Sequence, residues 1–379
     1  MQTFQYKLYD SKKTTALEWM MAEAAFTWNH ALALQKRFFR IAKACGWKRA
    51  YISATDMQKH FARRISRKRL DAQTVQELLQ RQDTAFRLFF GHITRRPPKF
   101  RKARDFSSFV FKQTGFRLFE NQFVINKIHK RFKFSKSRNW EGNVKNVRVF
   151  RSRNRWFILV VTDAEPKPCG KTHTGASAGG DFGLKTFLTL SDGTRIEAPR
   201  FYKQLERKIA KWQRLLSKAE KGSHHYYAYL RQMNRVYAEL HDKRTNWQYK
   251  TAHRLCRKYD ALFIEDLNIK GMASMKHWGK KVNDLGWTSF IRTLEYVASK
   301  YGTLIHKVDR WYASTKSCGT CGYVNQAITL ADRTWTCPRC GMHHDRDRNA
   351  ADNIHRRGIA DLESTGKTGR RDTADGTMR

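Results

Sequence analysis

The sequence predicts a multidomain α+β chain. A helical lobe is inserted in a β-barrel domain, and an α/β domain with a four-cysteine zinc insert follows. Three observations predict it. Hydrophobic periodicity switches from strand-like to helical and back within the first 165 residues. A Pro-, Gly-, Ser- and Thr-rich stretch then introduces a second segment in which strands and helices alternate. Near the C-terminus, Cys-x-x-Cys occurs twice.

Gln2–Tyr9 alternates as a short strand does. From Ser11 to Phe90 the text is helical. Leu17, Met20, Met21, Ala24, Trp28, Ala31 and Leu32 form one apolar stripe, and Val75, Leu78, Leu79, Gln82, Phe86 and Phe89 a second, mostly apolar one. "RRISRKRLD" is a basic link between them, and Pro97-Pro98 forbids continuation. Six short strand-like runs, rich in aromatic and β-branched residues, lie between Phe106 and Thr162. The expected domains are therefore a barrel from residues 1–10 and 96–165 and a helical insertion over 11–95, with a linker over 166–178.

The second half opens with "DFGLKTFLTLSDGTRIEA", a hairpin turning at Ser191-Asp192-Gly193. Residues 201–258 read as two basic helices broken at Lys221-Gly222-Ser223. "ALFIEDL" reads as a buried strand, "DLGWTSFIRTLEYVASKYG" as an amphipathic helix ending at Gly302, and "TLIHKVD" as another strand. An α/β domain over 179–312 and 344–363 follows, interrupted by the zinc insert at 313–343. Ser364–Arg379 lacks apolar content and is expected to be disordered.

Charge narrows the function. There are 75 Lys and Arg against 33 Asp and Glu, a net charge of +42. That excess opposes compaction unless a polyanion neutralises it, and nucleic acid is the polyanion expected. No run of 18 apolar residues exists and the basic residues are scattered through every segment, so a membrane is not expected as partner; a small-molecule substrate is not expected either. "MQTFQYKLYDSKK" has no apolar signal core, which points to the cytoplasm. Cys45, Cys169 and Cys256 stand alone and read as inert thiols.

Cys318, Cys321, Cys337 and Cys340 form two knuckles fifteen residues apart, four thiolates suited to tetrahedral Zn²⁺. A closed four-sulfur shell makes that ion structural. Gly322 and Gly341 follow the two knuckles at the same offset, where positive φ is needed. His343 and His344 are left over, as surface or nucleic-acid-facing residues.

Three carboxylates have a setting suited to catalysis. Asp181 opens a strand after Gly179-Gly180, Glu265 ends the apolar run "ALFI", and Asp347 begins a helix whose Ala350, Ala351 and Ile354 share one face. Two strand ends and a helix start could hold two Mg²⁺ ions for phosphodiester hydrolysis. Taken singly, Asp181 could cap a turn, Glu265 could end a strand in solvent, and Asp345 or Asp347 could be a helix N-cap.

"GGDFGLKTFLTLSDG", "FIEDLNIKGM", "STKSCGTCG…CPRCG" and "HDRDRNAADNI", in this order over residues 178–357, closely resemble the RuvC-like nuclease of the TnpB family. These insertion-sequence-encoded proteins are related to compact type V CRISPR effectors. The resemblance implies an RNase H-like (RuvC) nuclease domain and a helical recognition lobe inserted in a wedge barrel. It implies an RNA-guided DNA endonuclease: a guide RNA from the transposon end directs Mg²⁺-dependent cutting of double-stranded DNA beside a short target-adjacent motif. It assigns the catalytic acids to Asp181, Glu265 and Asp347, with Asp345 as runner-up for the last. Dispersed Lys and Arg, Lys99 and Arg101 among them, suit a backbone grip, and Gln73, Gln76 and Gln80 are candidates for base contacts. The alternatives are a transposase acting on DNA ends and a nuclease-independent RNA- or DNA-binding regulator.

Overall fold

The structure, a computed structural model, describes residues 1–48, 50–64, 69–165, 167–274, 279–329 and 331–364. Of the tail expected to be disordered, Ser364 is instead the last residue of a helix, and residues 365–379 lie outside the described residues, as do 65–68 of the basic link. The chain divides into two compact units, Met1–Pro166 and Lys167–Arg379.

In the first unit, β1 (Gln2–Leu8) leads into three helices, α1 (Thr15–Ala44), α2 (Ala54–Arg64) and α3 (Ala72–Phe90). Six strands follow: β2 (Ser108–Lys112), β3 (Phe116–Phe119), β4 (Gln122–Ile125), β5 (Lys130–Ser135), β6 (Val144–Ser152) and β7 (Arg155–Thr162). All seven form one antiparallel sheet in the order β2-β6-β7-β1-β5-β4-β3. Its two edge strands, β2 and β3, are joined by only Gln113–Gly115. A sheet whose opposite edges are three residues apart must curl on itself, which is how the expected barrel is realised.

Local chemistry explains the joints. Arg153 and Asn154 have φ of 49° and 60°, giving the two-residue turn whose twist matches the β6–β7 ribbon. Asp71 caps α3 by accepting from the Thr74 amide at 2.6 Å. The Thr74 hydroxyl donates to the Val110 carbonyl at 2.9 Å, fastening the helix to β2. Inward residues of the sheet, among them Phe109, Phe111, Phe123, Phe134, Val147 and Ile158, share one core with Leu17, Met20, Trp28 and Leu78 of the helices.

The second unit holds β8 (Ser177–Asp181), β9 (Thr186–Leu190), β10 (Arg195–Glu197), β11 (Ala261–Glu265) and β12 (Leu304–Val308), ordered β10-β9-β8-β11-β12. The first three are an antiparallel meander; β8, β11 and β12 run parallel. Helices α4 (Phe201–Lys218) and α5 (His224–Lys258) connect β10 to β11, and Ser223 caps α5 by accepting from the Tyr226 amide at 3.1 Å. Short α6 (Ile269–Ser274) and α7 (Gly279–Leu285) precede α8 (Trp287–Tyr301), which ends at Gly302 with φ of 66°. A small β13 (Thr334–Thr336) and β14 (His343–Asp345) ribbon leads into α9 (Arg346–Ser364). This mixed sheet with helices between its strands is the RNase H-like layout.

Two expectations change. Asp181 does not open a strand; it is the last residue of β8, so the strand begins before the glycines rather than after them. The reason is α9, which crosses β8 so closely that a Cβ on Gly179 would lie 2.2 Å from the Ala351 carbonyl oxygen. The expected linker is also tied down from its first residues. The Cys169 amide donates to the Lys300 carbonyl at 2.7 Å, and the Lys171 ammonium donates to the Cys256 and Tyr259 carbonyls while pairing with Asp260 at 2.7 Å. Among the described residues, no helix is long and apolar enough to cross a membrane.

Candidate active site

Strands β8 and β11 are parallel neighbours in register, Gly180 opposite Ile264. Asp181 and Glu265 are the next residues along, so the two carboxylates leave adjacent strand ends side by side, about 4.8 Å apart in backbone spacing. Helix α9 delivers the third. Its Ala351 lies over Gly179, and Asp347 is one turn earlier, which carries it along the strand direction toward Asp181. Acids 166 and 82 residues apart in sequence thus meet at one edge of the sheet.

The electrostatics record this meeting. Burial first, then the charges of Glu265 and Asp347, push the Asp181 carboxyl up to about 7; Arg346 opposes them. Glu265 is raised as well, by burial and by neighbouring Asp266. Such mutual repulsion is what a divalent cation would relieve, and an all-carboxylate donor set suits a hard ion such as Mg²⁺. Asp347 meets cations of the chain itself: Arg346 donates to its Oδ1 at 3.0 and 3.2 Å, and Arg333 reaches its Oδ2 at 3.5 Å. Asp345, the alternative third acid, accepts from the Arg348 amide at 3.0 Å and pairs with Arg195 at 2.8 Å. It is the helix cap.

The four cysteine sulfurs all lie within 4.8 Å of one another. Cys318–Cys340 and Cys321–Cys337 are each 3.6 Å apart, close to the roughly 3.8 Å edge of a tetrahedron built on 2.3 Å Zn–S bonds. The residues fit the ion. The two knuckles repeat each other: Gly322 and Gly341 donate to the Cys318 and Cys337 carbonyls, both at 2.9 Å, with φ of 73° and 70°. Among the described residues no group of carboxylates closes as tightly as this sulfur cluster.

Sequence reasoning missed several residues here. His344 is not spare: its Nε2 is 3.1 Å from the Cys318 sulfur, and its ring packs on Trp335 at 4.7 Å. Buried Asn349 and Asn353 bind the first knuckle to α9. Asn349 accepts from the Gly319 amide at 2.8 Å and donates to the Ser317 carbonyl; Asn353 donates to the Ser314 and Ser317 carbonyls. Arg346 is buried too and donates to the Asp332 carbonyl at 2.8 Å, linking the insert to Asp347. Polar residues recurring four apart on the apolar face of "DRNAADNI" were the available signal.

In the first unit, Gln76 and Gln80 are exposed on α3, whereas the Gln73 side-chain oxygen is buried without a hydrogen-bond partner. Lys99 and Arg101 have exposed side chains on a pinned backbone. The Lys99 carbonyl accepts from Trp28 Nε1 at 3.0 Å, and Arg101 exchanges two backbone hydrogen bonds with Asn29.

Comparison with known proteins agrees with this architecture. Residues 160–276 match the OrfB_IS605 family, described as "Probable transposase", and residues 287–354 match the Cas12f1-like TNB domain. A Streptomyces pristinaespiralis protein named an RNA-guided DNA endonuclease is 32% identical over 289 residues, 76% of this chain and 71% of that protein. The similarly named InsQ of Escherichia coli K12 is 26% identical across 89% of this chain and 87% of its own. TnpB-like protein L79 of Acanthamoeba polyphaga mimivirus is 29% identical over 55% of this chain and 42% of its own. The solved Cas12f1–sgRNA–target DNA complex contains a chain of the same fold, with a TM-score of 0.54 and 14% identity over 91% of this chain and 83% of that one. With its RNase H-like sheet, its four-cysteine insert and a relative of this similarity and coverage, the chain belongs to the TnpB family.

Proposed function

We propose that the protein is an RNA-guided DNA endonuclease of an insertion element. It cuts double-stranded DNA beside a short target-adjacent motif, with Asp181, Glu265 and Asp347 holding two Mg²⁺ ions. The observation that supports this is the geometry that brings the ends of β8 and β11 and the start of α9 together, so that burial and the two other acids raise the proton affinity of Asp181. A chain with net charge +42 that nevertheless gathers three carboxylates at one sheet edge has a use for them against a polyanion. The names of the relatives support a guide RNA and target DNA as partners.

When bound, the divalent ions supply an activated water and neutralise the leaving oxygen. Asp181 and Glu265 would present their carboxylates to the ions from neighbouring strand ends, because each rides a strand that the other holds in register. Asp347 completes the set from α9. Its guanidinium partners, Arg346 and Arg333, orient the carboxylate. The Cys318, Cys321, Cys337 and Cys340 thiolates hold one structural Zn²⁺, and through Asn349 and Asn353 that module sets the position of the α9 start.

In this reading the barrel and its inserted helices grip RNA and the guide–target duplex, and the protein works in the cytoplasm on the nucleoid. Gln76 and Gln80, exposed on α3, are available for base contacts beside the motif. The test is to copurify the protein with its RNA, sequence that RNA, and assay a matching plasmid with Mg²⁺. Guided cleavage by wild type and none by Asp181→Ala is expected. Cleavage undiminished in Asp181→Ala would overturn the assignment, and a defined RNA without cleavage would make the protein a regulator.

A further inference from the structure

The core of the first unit buries its aromatic side chains thoroughly: Phe61, Phe106, Phe109, Phe111, Phe123 and Phe134 are all under 2% exposed. Among the aromatic side chains it leaves exposed, three share one concave surface. The C-terminal ends of α1 and α3 and the Pro97–Phe100 segment enclose an open cavity of about 560 Å³. Phe39, Phe90 and Phe100, on its wall, are 48%, 51% and 54% exposed. With a packed core a few residues away, three half-bare phenylalanines on one concave surface mark a binding site rather than failed burial.

The chemistry of the wall selects the occupant. Phe86 and Phe90 stack at 5.9 Å and 23°, and Pro97-Pro98 adds a rigid segment to the wall. The charged residues in the wall, Lys36 and Arg40, are both cationic, and no carboxylate lines it. The Lys36 ammonium lies 4.7 Å from the Phe100 ring centroid, over one face of that ring. Aromatic faces with cations at the rim suit a nucleotide, base on the ring and phosphate on the ammonium. A protein partner would need acidic groups complementary to Lys36 and Arg40. Duplex DNA would have to flip a base out at a cost of about a few kcal/mol, whereas single-stranded RNA offers unstacked bases freely.

We propose that this cavity is a stacking site for an unpaired base of the bound RNA. It rests on the guided-nuclease reading above and deepens it by locating one RNA contact. Phe90 and Phe100 supply the ring faces and Lys36 the phosphate contact.

The test uses the full-length protein and, as probe, the RNA that copurifies with wild type, deproteinised and end-labelled. Single-stranded and duplex DNA of equal length are the comparison probes. The double variant Phe90→Ala/Phe100→Ala should bind the RNA about tenfold or more weakly, with an unchanged salt dependence, because stacking releases no counterions. Phe90→Tyr/Phe100→Tyr, which keeps both rings, should bind as wild type, and neither pair should alter duplex DNA binding. Both residues are half exposed, and a melting temperature matched to wild type checks the fold. Equal RNA affinity in the alanine variant would overturn the stacking site alone. So would a loss confined to either DNA probe, or a change in oligomeric state without a change in RNA affinity. If wild type retains no defined RNA, both this inference and the function above fall.

Discussion

Asp181 and Glu265 are terminal residues of adjacent parallel strands, one register step beyond the Gly180–Ile264 pair. Their neighbourhood raises the proton affinity of both, and α9 adds Asp347 to the same edge. If these three share the metal ions, single replacement of any of them by Ala should lower guided cleavage by about a thousandfold or more while leaving RNA copurification intact. Asp345→Ala should instead cost about 1 kcal/mol of stability as a lost helix cap and less than tenfold in rate. Plasmid cleavage with melting curves separates the two acids; equal collapse of both would return Asp345 to the metal set.

The metal-free protein should carry the Asp181 repulsion as a pH signature. Its folded pKa is raised from an ordinary carboxyl value to about 7, so stability is greatest below about pH 4 for this group and is lost as pH rises through 7. Asp181→Asn should therefore stabilise the metal-free protein by about 1–3 kcal/mol at pH 8 and by little at pH 4. Denaturant titrations at the two pH values, with and without Mg²⁺, check the sign. Mg²⁺ should stabilise wild type and not the variant.

Gly179 and Gly358 are close-approach positions. Added methyl carbons would lie 2.2 Å from the Ala351 oxygen and 2.0 Å from the Phe263 ring. Gly179→Ala must push α9 off β8, and a destabilisation of about 2–4 kcal/mol with loss of cleavage is expected. Gly46, whose methyl carbon would meet nothing within 4 Å but whose φ is +65°, should cost only its backbone strain of about 1 kcal/mol. Thermal melts of the two variants give the comparison.

One Zn²⁺ per chain is expected by elemental analysis, and Cys337→Ser should abolish it. Asn353→Ala, far gentler chemically, removes the donor to the buried Ser314 carbonyl and one of two donors to the Ser317 carbonyl, and should cost about 1–3 kcal/mol. It should retain its zinc while amide exchange rises around Ser314–Gly319. Zinc loss in that variant would mean that the knuckle depends on α9 for its assembly.

Much of this molecule was legible in its residues. Two Cys-x-x-Cys knuckles with glycine at a fixed offset specify their own geometry, since the ligands are local and positive φ needs glycine. The switch between alternation and helical stripes located the helical insertion, because burying one face imposes its period on the text. The motif "DRNAADNI" was read as a helix start carrying an acid, and the charge of +42 pointed to a polyanion.

Other features depended on contacts between distant segments. Asp181 was expected to open a strand after two glycines; they lie inside β8, where α9 packs so closely that Gly179 has no room for a Cβ. Asp345 and Asp347, two residues apart and chemically alike, were divided only by what each meets in space: the Arg348 amide for one, Arg346 and Arg333 for the other. His344 read as a surface or nucleic-acid-facing residue, and Asn349 and Asn353 had no reading at all, until the knuckle was packed against α9. Sequence alone determined which ligands and which periodicities exist, because these are properties of neighbours in the chain. The tertiary structure decided which acids face one another, because that requires two strand ends and a helix to meet across 166 residues.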